Sequence, residues 1–147
     1  MGAVTPIGND VNTFWENLLK GTNGVSEITQ FDTENFKIKL AAEVKIDLNI
    51  FFSSKELNIL DRFSSFALIA ADEAIQMSNL MHKKFNQDKV GVIIGSGIGG
   101  IKTLEEQHKR LLKNPKRVSP YFIPSMISDI ASGHISIKYG FKGPNYS

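Results

Sequence analysis

The sequence predicts an α/β domain. An uninterrupted apolar run, Val90-Gly91-Val92-Ile93-Ile94, has the length of a strand buried on both faces. A glycine-rich turn, Gly95–Gly100, follows directly, and a helical pattern follows the turn. Elsewhere a stretch of strict alternation, Lys37–Val44, lies among segments of helical periodicity. The 147 residues suffice for one domain with a real core, and 41% hydrophobic with 22% charged residues is ordinary for a soluble globular protein.

Asp10 caps a helix over Val11–Lys20, where Val11, Phe14, Trp15, Leu18 and Leu19 recur at helical spacing, and Gly21 stops it. Lys37–Val44 reads as a half-buried strand, with Ile38, Leu40, Ala42 and Val44 on its inner face. Ser53 and Glu56 have capping-box spacing, which opens a short helix near Lys55. From Asp61 to about Leu80 runs a helix that is apolar almost all round. Phe63, Phe66, Ala67, Ala70, Ala74 and Met77 form one stripe. Such a helix belongs inside, or under a partner subunit.

The helix behind the glycines runs from Ile101 to about Lys113, with Leu104, His108, Leu111 and Leu112 inward. Glu105–Lys109 and Glu106–Arg110 form i,i+4 pairs on its wetter side. Pro115, Pro120 and Pro124 break the next segment into a loop centred on Tyr121, Phe122 and Ile123. This loop must tuck into the core or meet another chain. A helical pattern resumes at Ser125, is interrupted by Gly133, and ends at Gly140 and Gly143-Pro144. Asn145-Tyr146-Ser147 looks like the start of a strand.

The composition excludes several function classes. A net charge of +2 is too small to argue for nucleic acid. No run approaches the roughly 20 apolar residues of a membrane helix. No signal peptide is seen, so a cytoplasmic protein is expected. The sequence contains no cysteine, which removes disulfides, thiolate metal sites and thiol catalysis from these residues. His82, His108 and His134 lie too far apart for metal-ligand spacing, and no carboxylate or nucleophile is placed to serve His108 in catalysis.

Gly95-Ser96-Gly97-Ile98-Gly99-Gly100 satisfies G-x-G-x-x-G, the fingerprint of a dinucleotide-binding turn. A dinucleotide fold also needs a second strand soon after the helix, ending in an acidic residue. Roughly twenty residues on, this sequence has Ser119-Pro120-Tyr121, and proline does not suit a central strand. The plainer reading is steric. Glycines allow positive φ and close backbone approach, and Ile98 is left as one bulky side chain on a naked turn.

Several blocks in order carry a more specific resemblance. They are Gly2-Ala3-Val4-Thr5-Pro6-Ile7-Gly8, Phe14-Trp15, Phe31-Asp32, Asp61-Arg62-Phe63, Val90 to Gly100 and Glu105-Glu106-Gln107-His108. Arg117-Val118-Ser119-Pro120-Tyr121-Phe122-Ile123-Pro124 and Tyr139 to Ser147 complete the set. Together they resemble the β-ketoacyl-acyl carrier protein synthases across essentially the whole chain. The resemblance implies a thiolase-like fold, layered α-β-α-β-α when intact, of which residues 1–147 would be a partial N-terminal domain, incomplete at both ends. It implies a homodimer that catalyses decarboxylative Claisen condensation of acyl and malonyl groups in fatty acid elongation. A cysteine would take the acyl group, two histidines would aid decarboxylation, and backbone N–H groups would hold the oxyanion. No metal or nucleotide cofactor is implied, because substrates ride on the phosphopantetheine arm of acyl carrier protein.

Residue roles follow from the same match. Ile98 corresponds to the gate of the acyl pocket, and Phe122 to the aromatic that reaches that pocket from the partner subunit. By residue type alone both are ordinary core residues. Lys55, Lys116 and Arg117 match positions of the basic patch that receives the acidic carrier protein, with Arg62 as a neighbour, while Asn58 and Ile59 stand where relatives often carry basic residues. The family's cysteine lies just beyond the Gly-Pro-Asn-Tyr-Ser stretch, so this chain is expected to be a piece of such an enzyme and inactive alone. Two other readings stay open: a non-catalytic, chain-length-factor type of partner, and a nucleotide-binding module. With sheet edges unpaired, the isolated chain is expected to aggregate.

Overall fold

The computed structural model describes residues 1–147, and its longest helix is α3 (Arg62–Ser78). Asp61 caps its start, accepting from the Phe63 N–H at 3.2 Å, and Asn79 ends it in the left-handed region at φ 52°. No residue from Asp61 to Ile75 is exposed, so the helix is covered over that length as its apolar sequence predicts, whereas Met77 of the predicted stripe is exposed. Its deepest points differ from the predicted stripe. Ser64, Ser65, Leu68 and Ile69 are buried, whereas Phe63 and Phe66 are only half-buried. The reason is close packing against α6 (Ile130–Tyr139), where Ala131 and Ser132 are also fully buried and small side chains let the backbones approach. Leu68, Ile69, Ala131, Ile135 and Phe141 form the apolar core.

Glu73 ties the N-terminal segment to α3. Its two carboxylate oxygens accept from the Ala3 and Val11 N–H groups, each at 2.8 Å. α1 (Val11–Leu19) starts as predicted, with Asp10 accepting from Thr13 N–H at 2.8 Å, and Gly21 at φ +66° ends the helix. Its apolar side is not covered: Trp15, Leu18 and Leu19 are exposed. The strand predicted over Lys37–Val44 contracts to β2 (Leu40–Ala41), paired antiparallel with β1 (Ser26–Glu27). Ile38 and Leu40 are exposed, because no element of these residues packs on that face. α2 (Ser54–Leu57) opens on the predicted capping box, with Ser53 and Glu56 bonded reciprocally.

β3 (Val92–Ile93) pairs in parallel with β4 (Asn145–Tyr146), Val92 opposite Asn145 and Ile93 opposite Tyr146. The crossover between them runs through α4 (Ile101–Lys113), α5 (Phe122–Met126) and α6. Two-faced burial of β3 is not observed. Val92 is half-buried over α6 and Ile93 is 72% exposed, since nothing lies on the other face. α4 also turns a different side inward. Thr103 and Gln107 face the protein, while Leu104, His108, Leu111 and Leu112 are exposed. Polar anchoring of those two residues outweighs the apolar periodicity. Of its two predicted pairs, Glu105–Lys109 forms at 2.6 Å and Glu106–Arg110 does not. The proline-bounded segment is not all loop. It contains a 3-10 turn at Pro115–Arg117 and the short α5, in whose first turn Pro124 has no N–H to lose. Gly133 sits inside α6, and Gly140 caps it at φ +69°.

The glycines of the turn divide into two classes. A Cβ on Gly95 or Gly97 would meet nothing within 4 Å, whereas on Gly100 it would lie 2.6 Å from the Ser125 carbonyl oxygen. Gly100→Ala is therefore expected to cost about 1–3 kcal/mol, and Gly97→Ala less than about 0.5. Denaturant unfolding of the two variants checks this.

Candidate functional site

The turn between β3 and α4 is docked onto α5. Gly99, at φ +77°, would place a Cβ 2.4 Å from the Met126 carbonyl oxygen, and a Cβ on Gly100 would lie 2.6 Å from that of Ser125. The Gly100 N–H donates to Met126 O at 2.8 Å, and the Gly99 N–H donates to Ser96 Oγ at 3.0 Å. Two backbone donors of the turn, the Gly99 and Gly100 N–H groups, are thus already engaged. What the turn presents outward is Ile98, 69% exposed.

Asp61 sits behind this turn at 6% exposure. While one oxygen caps α3, Oδ2 accepts from Thr103 N–H at 2.9 Å and Thr103 Oγ1 at 2.6 Å, in the first turn of α4. The start of α4, where a dinucleotide's diphosphate would bind, therefore holds the protein's own carboxylate. This geometry opposes the nucleotide reading of the fingerprint. Sequence reasoning identified Asp61 as the start of a helix but missed its second partner. No local signal joins positions so far apart in the chain.

A cleft of about 690 Å³ opens between the α2–α3 corner and the α4–α5 side. Phe122, half-buried at the start of α5, lines it, and so does Arg62. Its charged residues balance, Asp47, Asp61 and Glu106 against Arg62, Lys102 and Arg110. Gln107 and Ser125 brace the wall: Gln107 Oε1 accepts from Ser119 N–H at 2.8 Å, and Ser125 Oγ donates to Ile59 O at 2.7 Å. Ile98 does not line this cleft, which therefore does not bring the two residues matched to the acyl pocket together.

Of the basic residues, Arg62 is partly committed to structure. It donates to Val44 O and lies over the Phe66 ring, 4.9 Å from its centroid. Lys55 on α2 and Lys116 and Arg117 in the turn after α4 are exposed and make no ion pair. They precede the cleft residues Leu57 and Ser119 in the chain but do not line the cleft. No three His, Asp or Glu side chains gather as a metal site. His82 and His108 are exposed, whereas His134 is half-buried and lines a small, mainly apolar cavity with Phe51, Phe52 and Leu68, and with Glu56 and Lys138.

Comparison with known proteins decides the family. The β-ketoacyl synthase N-terminal domain family matches residues 1–147. This chain belongs to the β-ketoacyl synthases. It is 49% identical over 147 residues to 3-oxoacyl-(acyl-carrier-protein) synthase 2 of Staphylococcus aureus, covering 99% of this chain and 36% of that protein. Among solved structures, the ishigamide ketosynthase/chain length factor superposes with a TM-score of 0.82 at 22% identity, over 99% of this chain and 36% of that one. A type II PKS ketosynthase in complex with its acyl-carrier protein gives a TM-score of 0.72 at 24% identity, over 96% and 37%. These two establish the fold, which is the thiolase-like fold expected from the sequence. The chain spans about a third of the length of the curated relatives it matches.

Within this synthase domain His134 generates a pH prediction. Desolvation holds its pKa below the ordinary 6.5, so the neutral imidazole is favoured in the folded state. Its contribution is full above about pH 6.5 and is lost as pH falls through that value toward the folded pKa. Stability should fall between pH 7 and 5, and His134→Gln should flatten that slope in chemical-denaturation curves taken across the range.

Proposed function

We propose that this chain is the acyl-gating and carrier-facing part of a 3-oxoacyl-acyl carrier protein synthase of fatty acid elongation. The observation that carries the proposal is 49% identity, sustained over 99% of the chain, to a curated synthase of that name. In this reading acyl carrier protein delivers the growing chain as a thioester, and a homodimer in the cytoplasm performs the condensation without metal or nucleotide. The acidic carrier approaches the basic residues Lys55, Lys116 and Arg117, with Arg62 beside them. Such charges act mainly by steering the encounter.

Ile98 is the gate in this proposal. It is a branched side chain on a turn whose neighbours Gly95 and Gly97 have free space, so it can swing while Gly99 and Gly100 hold the turn's base against α5. Admitting a longer acyl chain gains about 0.8 kcal/mol for each methylene buried, so one side chain at the mouth of the pocket can set a length preference. Phe122 contributes from the start of α5, toward a pocket completed across the dimer. These 147 residues hold no cysteine, so the nucleophile of the condensation is not among them and they do not condense alone.

Activity assays on the longest form the gene encodes test this. Ile98→Trp should shift products to shorter acyl chains. Lys116→Glu/Arg117→Glu should raise KM for acyl carrier protein about tenfold and leave kcat little changed, because steering is lost and the chemistry is not. A folded protein that binds carrier but never forms a 3-oxoacyl product would instead be a non-catalytic partner.

A further inference from the structure

The segment joining α3 to β3 concentrates positive charge on one side of the molecule. His82-Lys83-Lys84-Phe85-Asn86-Gln87-Asp88-Lys89 carries three lysines, and Lys142, from the turn ahead of β4, lies beside them. Lys83, Lys84 and Lys142 line a depression of about 440 Å³ in which Asp88 is the one carboxylate. Three lysines less one aspartate leave +2 on its wall, which equals the formal net charge of the whole chain, +2. Over the rest of the protein the formal charges cancel. The cancellation is a sum and not a uniform field, since Lys55, Lys116 and Arg117 are also exposed and unpaired; here the excess charge lines a depression.

The wall is held in place. The Lys142 N–H donates to Gln87 O at 3.0 Å, which fixes the two sides against each other. Phe85 packs edge-on against Phe141, centroids 6.2 Å apart, and Phe141 belongs to the core. Asn86 Oδ1 accepts from Asp88 N–H at 2.9 Å and shapes the bend between them. Lys83 and Lys84 are exposed and have no ion-pair partner, while Lys142 and Asp88 meet only at 4.0 Å with both side chains 70% exposed. The ammonium groups are thus available to a ligand, on backbone that does not need to be ordered when the ligand arrives.

We propose that this depression binds a phosphate monoester, with Lys83, Lys84 and Lys142 as its cations. A monoester carries about −1.5 to −2 charges at pH 7, which matches the +2 of the wall. Lysine serves a phosphate as a mobile point charge and requires no bidentate geometry. Met81 and Phe85 line the same depression and offer apolar contact to the group that bears the phosphate. The volume falls within the roughly 300–1,000 Å³ of small-ligand sites. This site shares no lining residue with the cleft at Arg62 and Phe122, and the inference does not depend on the condensing activity.

Calorimetric titration with phenyl phosphate tests the proposal, using the longest form of the protein its gene encodes, at low salt. A parallel arm measures co-sedimentation with phosphatidylcholine vesicles with and without phosphatidic acid, a lipid phosphate monoester. Saturable binding is expected. It should weaken at least about tenfold in Lys83→Ala/Lys84→Ala and in Lys142→Ala. Lys37→Ala/Lys39→Ala, which removes the same charge elsewhere, should leave it unchanged. Binding of phenyl phosphate assigns the site to a soluble ligand. Binding confined to phosphatidic acid vesicles, with the same lysine dependence, assigns it to a lipid headgroup. No binding in either arm, or equal weakening by the Lys37/Lys39 variant, overturns the proposal.

Discussion

The carboxylate of Asp61 is the constraint from which the site's geometry follows. It is buried, and its oxygens serve the first turns of two helices that the chain keeps far apart in sequence, α3 and α4. A buried carboxylate requires hydrogen-bond donors, and the N-termini of helices supply them along with favourable dipole ends. Fixing α4 to α3 in this way leaves the preceding turn little room. The ideal Cβ of Gly100 would sit 3.0 Å from Asp61 Oδ2 as well as against the α5 backbone, so glycine is the residue that fits. The outward presentation of Ile98 is a consequence of that docking.

The rest of the fold extends the same economy of few, specific ties. Glu73 holds the N-terminal segment, Asp72 accepts from both Lys138 and Tyr139 of α6, and the Tyr139 ring stacks on Phe141 at 5.6 Å. Apolar burial is limited, with 12 of 147 residues buried, and the faces of α1, β2 and α4 that carry leucine, isoleucine and tryptophan stay exposed. Exposed apolar faces of this kind mark places where further protein packs. The homodimer and the carrier encounter proposed above would both draw on such surface.

What was legible in the sequence was local. Asp10, Ser53 and Gly140 announce helix termini through capping chemistry that acts over one turn, and α1 and α2 begin, and α6 ends, where those residues stand. The membership of the family was also legible, since ordered blocks such as Val90 to Gly100 carry it independently of any contact. The inward faces were not. Periodicity in Lys37–Val44 and Ile101–Lys113 identifies an apolar face but not whether these residues contain its cover, and here Ile38 and Leu112 have none. Polar anchors such as Gln107 to Ser119 and Asp61 to Thr103 reverse the side that α4 buries. They join distant positions that no periodic pattern links.

A double-mutant cycle between Asp61→Ala and Thr103→Val, read by equilibrium unfolding, tests the claim about Asp61 most directly. Hydrogen bonds to a charged, buried acceptor predict a coupling energy of about 1–3 kcal/mol between the two positions. Additive effects, with coupling below about 0.3 kcal/mol, would contradict the account and leave the glycine turn without the tie that is held to shape it.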